Sequence, residues 1–121
     1  ATPADEAALR GLLGAGDYAA LLARTDLQTE VADRDGFGAR ATDFSVRGLA
    51  ASNRALLMAD RSGHFWIALL DFDAAGHSEI RYYSNVPHWQ ARLPRTVAAW
   101  IATLDDHIPV RLRSRPHGET R

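Results

Sequence analysis

Cysteine and lysine are both absent from this sequence of 121 residues. Without cysteine the chain has no thiol nucleophile, no iron–sulfur cluster, no cysteine-based zinc site and no disulfide. Without lysine it has no Schiff-base lysine, no lysine nucleophile and no phosphate-loop lysine. Several classes of enzyme are therefore excluded before any motif is considered.

Long apolar runs and an excess of one charge are also missing. No run approaches the roughly 18 to 20 apolar residues of a membrane-spanning helix. Fourteen arginines against 15 acidic residues give a net charge of -1, which lacks the basic footprint that binding to a phosphate backbone requires. We therefore predict neither membrane insertion nor a nucleic-acid partner.

The composition is that of one ordinary domain, with 46% apolar and 24% charged residues. The chain begins with Ala1-Thr2-Pro3 and has no initiating methionine. Such a start is typical either of a mature chain whose leader has been removed or of a trimmed one, and we predict a periplasmic or secreted protein. The alanine-rich, lysine-free composition indicates a GC-rich bacterial genome.

Residues 1–24 are predicted to form a pair of short helices. Thr2 can cap the first helix with Pro3 at its first position, and Gly14 is a natural end for it. Asp17 can then cap the second helix. Residues 25–41 are polar and without a regular period, which predicts a loop.

A β-meander is predicted for residues 42–84, because apolar and polar residues alternate there with the period of a strand. Its strands are 43–47, 54–60, 64–72 and 79–84. The strand 64–72 is apolar on both faces, so it is either central and covered twice or leaves one face for a partner.

The end of the chain is predicted to contain a helix at 93–106, an edge strand at 108–113 and a tail at 114–121. Pro109 indicates an edge position, because proline cannot donate to a strand ladder. The predicted fold class is α+β: one two-layer domain, 1–121, with a four- to five-stranded antiparallel meander, a C-terminal helix that covers it and the N-terminal helix pair.

Histidines and carboxylates are the remaining candidates for chemistry. The five histidines (64, 77, 88, 107 and 117) do not have the helical spacing of paired metal ligands, and the serines lack a nucleophile-elbow context. We therefore predict no metal site, no cofactor and no catalytic residue.

The densest unusual segment is 81–90, where aromatic residues and arginine are the types enriched at binding hot spots. If Tyr82 points inward, its neighbours on the strand point outward. We predict a partner-binding site formed by Arg81, Tyr83, His88 and Trp89, with Trp66 of the neighbouring strand. The competing interpretation places Trp66 and Trp89 in the core.

These patterns favour a noncatalytic domain that binds another protein, an exported inhibitor or immunity-type protein that blocks an enzyme or toxin. One alternative is a small hydrolase or nuclease, with His64 and His88 beside Arg81 as phosphate clamp, or with Asp60, Asp71 and Asp73 in the same cleft. Another is a chaperone-like or ligand-sensing module that uses the apolar strand 64–72, most simply as a homo-oligomer.

Overall fold

A six-stranded β-sheet lies at the centre of the structure. The computed structural model describes residues 3–48, 53–104 and 107–113, with side chains from residue 5 onward. The strands are β1 (Leu27–Val31), β2 (Arg40–Ser45), β3 (Arg54–Ala59), β4 (Phe65–Phe72), β5 (Ser78–Ser84) and β6 (Val110–Leu112). The helices are α1 (Pro3–Leu22) and α2 (Arg95–Ile101), with a single 3₁₀ turn at Pro87–Trp89.

The strands lie in the sheet in the order in which they occur in the chain. The strands from β1 to β5 are antiparallel to their neighbours, whereas β6 runs parallel to β5. After β5 the chain passes through the 3₁₀ turn and α2 before β6 begins. Parallel neighbours require a crossover connection of this kind, because a hairpin would reverse the strand direction.

The α+β class predicted from the sequence is confirmed, and its details are corrected. The sheet has six strands instead of four or five, because Leu27–Val31 forms β1 within the segment predicted as a loop. The sheet is mixed and not antiparallel throughout, since β6 follows a crossover. The last strand, β6, lies at one edge of the sheet.

The two faces of the sheet are covered by different helices, so the domain has three layers and not the predicted two. Helix α1 packs on one face, in a core that contains Leu9, Leu13, Leu21, Phe44, Ala55, Phe65, Ile67, Leu69 and Tyr83. Helix α2 packs on the other, in a core that contains Ala41, Leu56, Met58, Trp66, Ala68, Leu70, Ile80, Tyr82, Val97 and Trp100.

Strand β4 accounts for this double cover. Residues 65–70 are all buried, and successive side chains of a strand point to opposite faces. Burying each large apolar side chain contributes roughly 1.5 to 3 kcal/mol, so an open sheet would lose much of its stability on either side. The strand is central and covered twice, and neither of its faces is left for a partner.

Helix α1 is interrupted at Gly14, where the sequence predicts a helix end. Gly14 has φ 82° and ψ 164°, a region that only glycine adopts readily. The break lets Leu13 before it and Leu21 after it reach the same core. The sequence predicts that Asp17 caps the second helix. In the structure its carboxylate instead accepts hydrogen bonds from Arg81 and Tyr83 of β5.

Helix α2 receives its N-terminal cap from a distant loop. The carboxylate of Asp35 accepts bonds from the backbone N–H of Arg95 at 2.7 Å and of Thr96 at 2.9 Å. It also accepts the Thr96 hydroxyl at 2.6 Å. These bonds satisfy N–H groups that have no partner within the helix, and they fasten the β1–β2 loop to α2.

Helix α2 is shorter than the predicted helix 93–106, since it begins after Pro94 and ends at Ile101. Residues 105 and 106 lie outside the described residues, as do the predicted cap Thr2, the tail 114–121 and His117 within it.

Gly14→Ala is expected to lower the free energy of unfolding by roughly 1 to 3 kcal/mol, because alanine is strained at this φ and ψ. Gly11→Ala is the control, since Gly11 lies in α1 with open space around it. Alanine there should stabilise the helix by roughly 0.5 to 1 kcal/mol. Urea denaturation measures both, and equal effects of the two variants would contradict the assigned break.

Candidate functional site

Three of the five residues predicted to bind a partner lie inside the domain. Trp66 is 3% exposed and Tyr83 is 6% exposed, and the side chain of Arg81 is 11% exposed. The expectation that Arg81 and Tyr83 point outward is wrong, because α1 covers the face of β5 that carries them. These three side chains are not available to a partner of the folded domain.

Arg81 is the centre of a charge network between α1 and the sheet. Its Nε and Nη2 donate to the two oxygens of Asp17 at 3.1 and 3.0 Å. Nη2 also donates to Asp71 at 2.8 Å, and Nη1 donates to Glu79 at 2.7 Å. Burial alone would lower the pKa of Arg81, but the bonds to Glu79, Asp17 and Asp71 outweigh it and raise that pKa. Arg81 is therefore a structural cation.

Other groups complete this network. The Tyr83 hydroxyl donates to Asp17, and burial together with this bond raises the pKa of Tyr83 to about 12. Arg24 lies 3.1 Å from the carboxylate of Asp71, and Arg111 lies 3.4 Å from that of Glu79. Three arginines thus pair with three carboxylates, and the network holds α1 on the sheet.

An aromatic cluster lies at the end of the sheet where β5 ends, and it includes the fourth predicted residue, Trp89. The ring of Phe37 stacks on Trp66 with centroids 4.6 Å apart. Phe37 also meets Trp89 edge-on at 5.3 Å. Phe37, Trp66 and Trp89 are named the aromatic cluster below. Trp66 is its buried base, whereas Phe37 and Trp89 are half-buried.

Three basic side chains surround the aromatic cluster, and His88, the fifth predicted residue, is one of them. The His88 ring lies 5.0 Å from Trp89, and the guanidinium of Arg92 lies 5.9 Å above the Trp89 ring. His64 lies 6.3 Å from Trp66. All three are exposed and are named the basic rim. The structure thus brings Trp66, His88 and Trp89 together and separates them from Arg81 and Tyr83.

Side-chain bonds to the backbone hold the loop that carries His88 and Trp89. The Tyr82 hydroxyl donates to the carbonyl of Trp89 at 2.7 Å, and Gln90 donates to the carbonyl of Ser84 at 3.2 Å. Asn85 accepts from a backbone N–H of β4 at 2.8 Å and donates to the β3–β4 turn at 2.9 Å. The loop is therefore fixed before any partner binds.

The carboxylates at this end of the sheet accept hydrogen bonds from N–H groups of the protein itself. Burial would raise the pKa of Asp33, but hydrogen bonds from backbone N–H groups of its own loop lower it. Burial would likewise raise the pKa of Asp60, and bonds from the backbone and ring of His64 lower it. Asp35 caps α2. By contrast Arg61 is exposed and makes no ion pair with the described residues.

Three members of this surface were not predicted as partner-binding residues: Phe37, Arg92 and His64, the last of which was named only in the catalytic alternative. Phe37 lies between Gly36 and Gly38, which have φ values of 72° and 71°, so an aromatic residue between two turn-forming glycines was the available signal. Arg92 lies three residues after Trp89, within the loop that the sequence analysis singled out only as far as residue 90.

The catalytic alternative requires residues that the structure holds apart. Asp60 and His64 do pair, with Oδ2 and Nδ1 2.8 Å apart. Asp71 and Asp73 lie at the opposite end of β4, and Arg81 is bound within the charge network. The described residues contain no group of three or more metal-binding side chains. The residues named for a hydrolase therefore do not converge on one cleft.

An open cavity of about 510 Å³ lies at that opposite end. Its lining includes Asp73, His77, His107 and Arg111. The carboxylate of Asp73 accepts two backbone N–H bonds of the β4–β5 turn, both at 2.9 Å. Arg111 bonds to Glu79. The two charged residues that line the cavity therefore already have partners, Asp73 in the β4–β5 turn and Arg111 in the charge network.

No helix in the described ranges has both the length and the apolar character needed to cross a membrane. Comparison of the chain with protein-family models, with curated proteins and with solved structures gives no match. Any assignment of function therefore depends on the chemistry of the surface itself.

Arg81→Ala is expected to lower the free energy of unfolding by about 3 kcal/mol, because it leaves partly buried carboxylates without their cation. Arg92→Ala, which removes an exposed arginine, should change it by less than about 0.5 kcal/mol. Urea denaturation measures both. A small loss for Arg81→Ala would contradict its structural role.

Asp33→Asn is expected to lower the melting temperature at pH 7 and to have less effect in acid. The pKa of Asp33 is depressed in the folded state, so its stabilisation is complete above the unfolded pKa of about 3.9 and is lost as the pH falls through the lower, folded value. Melting temperatures of both proteins between neutral and acidic pH provide the measurement. A difference that stays constant below pH of about 4 would contradict this role.

Proposed function

We propose that this domain is a noncatalytic protein-binding module, and that it binds its partner with the aromatic cluster and the basic rim. An inhibitor or immunity-type role, in which it blocks an enzyme or toxin, belongs to the same proposal. So does the periplasmic or secreted location expected from the sequence.

The observation that carries the proposal is the position of Trp89. One side of this residue is anchored, since its ring contacts Phe37 and its carbonyl accepts the Tyr82 hydroxyl. On its other sides it meets two exposed basic groups, His88 and Arg92. Tryptophan and arginine are enriched among residues that dominate binding energy. A half-buried tryptophan held in a fixed loop can anchor a partner with little loss of entropy.

The charged side chains of this surface indicate the chemistry of a partner that would fit it. Arg92 and Arg61 are exposed cations, whereas the carboxylates of Asp33, Asp35 and Asp60 are oriented towards backbone N–H groups of the protein itself. The complementary surface carries acidic side chains around an apolar group that contacts Trp89. Electrostatic complementarity of this kind chiefly speeds association and selects between partners.

The other two functions have less support. The Asp60–His64 pair could orient a general base, but Asp60 also accepts the N–H groups of Ser62 and His64, so the pair is accounted for as the closure of the β3–β4 turn. The apolar sheet face needed by a chaperone-like module is covered by α1 and α2.

Trp89→Ala is expected to weaken partner binding about 30-fold, because truncating a hot-spot residue costs about 2 kcal/mol or more. The partner is first captured on the immobilised domain from envelope and cytosolic extracts and then purified for calorimetry. Phe72→Ala is the matched control, since Phe72 is an exposed aromatic residue at the other end of the sheet. It should leave the affinity unchanged.

His88→Ala and His77→Ala form a second matched pair, one on the basic rim and one on the β4–β5 turn. The first should weaken binding, because it removes the ring that meets Trp89 edge-on, and the second should not. If no protein is retained at one-to-one stoichiometry, or if both pairs of variants act alike, the proposal is wrong. Melting temperatures of each variant separate lost contacts from lost folding.

A further inference from the structure

Strand β1 forms one edge of the sheet, and no strand of the described chain pairs with its outer side. The side chains of residues 27–30 are exposed and that of Val31 is half-buried, so neither helix extends over the strand. An edge strand of this kind presents a row of free N–H and C=O groups that can pair with another strand.

The two edges of the sheet differ in their protection. Strand β6 has only three residues, follows Pro109 and includes Arg111, and a short edge with proline and charge resists pairing. Strand β1 has five residues, contains no proline and carries a single charge, at Glu30. The edge at β1 is thus the one open to pairing.

We propose that β1 pairs antiparallel with β1 of a second copy of this chain, about a two-fold axis at Thr29. In this register Leu27 lies opposite Val31 of the second copy, Gln28 lies opposite Glu30 of the second copy, and the two Thr29 residues face each other. The sequence of β1, Leu-Gln-Thr-Glu-Val, is self-complementary in this arrangement, as an isologous interface requires.

The charge pattern selects this register. A register centred on Glu30 places two carboxylates opposite each other, which destabilises strand pairing. The register centred on Thr29 places the Gln28 amide opposite the Glu30 carboxylate, where it can donate a hydrogen bond. It is also the one register that pairs all five residues of β1.

The faces of the sheet agree with the same pairing. Leu27 and Val31 share the face that carries α2, since Val31 pairs with Ala41 and packs on that core. Gln28 and Glu30 share the opposite face, with Phe44 as the register partner of Gln28. A two-fold axis perpendicular to the sheet keeps each face on its own side, so apolar residues meet apolar residues.

The bonds that Glu30 and Gln28 already make within one copy are weak and do not prevent the pairing. Glu30 lies 3.9 Å from Arg40, but both side chains are more than 70% exposed, at 74% and 79%, and such ion pairs contribute little. Gln28 makes one exposed bond of 3.3 Å to the carbonyl of Thr25. The dimer would contain one continuous sheet with six strands from each copy.

Sedimentation velocity of the whole chain over a wide range of concentration tests this inference. We expect a reversible dimer with a Kd on the order of 10 µM, since strand pairing alone buries less area than a standard interface. A monomer at every concentration would overturn the proposal. The interface does not use the aromatic cluster, so this outcome is independent of partner binding.

Two opposite substitutions at one position identify the register. Gln28→Glu places two pairs of carboxylates across the interface and should raise the Kd about tenfold, whereas Gln28→Arg should lower it about fivefold. Ala19→Glu is the control, since it adds a carboxylate at an exposed position of α1, away from β1. It should leave the Kd unchanged.

Thr29→Pro provides a test that does not depend on charge, because proline at the centre of β1 obstructs the edge. Its melting temperature and far-ultraviolet circular dichroism show whether the monomer still folds. A dimer that persists in both Gln28→Glu and Thr29→Pro would assign the interface to another surface and overturn the proposal.

Discussion

Six consecutive buried side chains of β4 impose the constraint on which the other elements depend. Because alternate residues point to opposite faces, an apolar run of this length needs a cover on each side of the sheet. Helix α1 supplies one cover, and the crossover through α2 supplies the other. The crossover also makes β6 parallel to β5, so the mixed topology is a consequence of covering β4 twice.

Charged side chains are partly buried under α1 on one face of the sheet and are exposed at the end that carries the aromatic cluster. At the α1 face, three arginines (Arg24, Arg81 and Arg111) pair with three carboxylates (Asp17, Asp71 and Glu79), and this network fixes the helix on the sheet. At the end of the sheet that carries the aromatic cluster, turns and a helix cap occupy the acidic groups. Arg61 and Arg92 at this end remain exposed on the surface.

Local patterns in the sequence were sufficient for β3, β4, β5 and the break at Gly14, because apolar alternation and turn chemistry are properties of neighbouring residues. Strand β1 was missed since an edge strand exposed on both faces has no apolar alternation to detect. Arg81 and Tyr83 have the composition of a binding site, and only the position of α1 reveals that they are buried. In the loop after β5, His88 is exposed and Trp89 is half-buried.

The cap that Asp35 provides for α2 joins residues that are about 60 positions apart in the chain. A helix as short as α2 has little stability alone, so its formation depends on the β1–β2 loop being already in place. The same loop delivers Phe37 to the aromatic cluster, and the segment between β5 and α2 carries Trp89. The aromatic cluster is therefore complete only in a chain whose two halves have met, because Phe37 and Trp89 come from segments that lie on either side of most of the sheet.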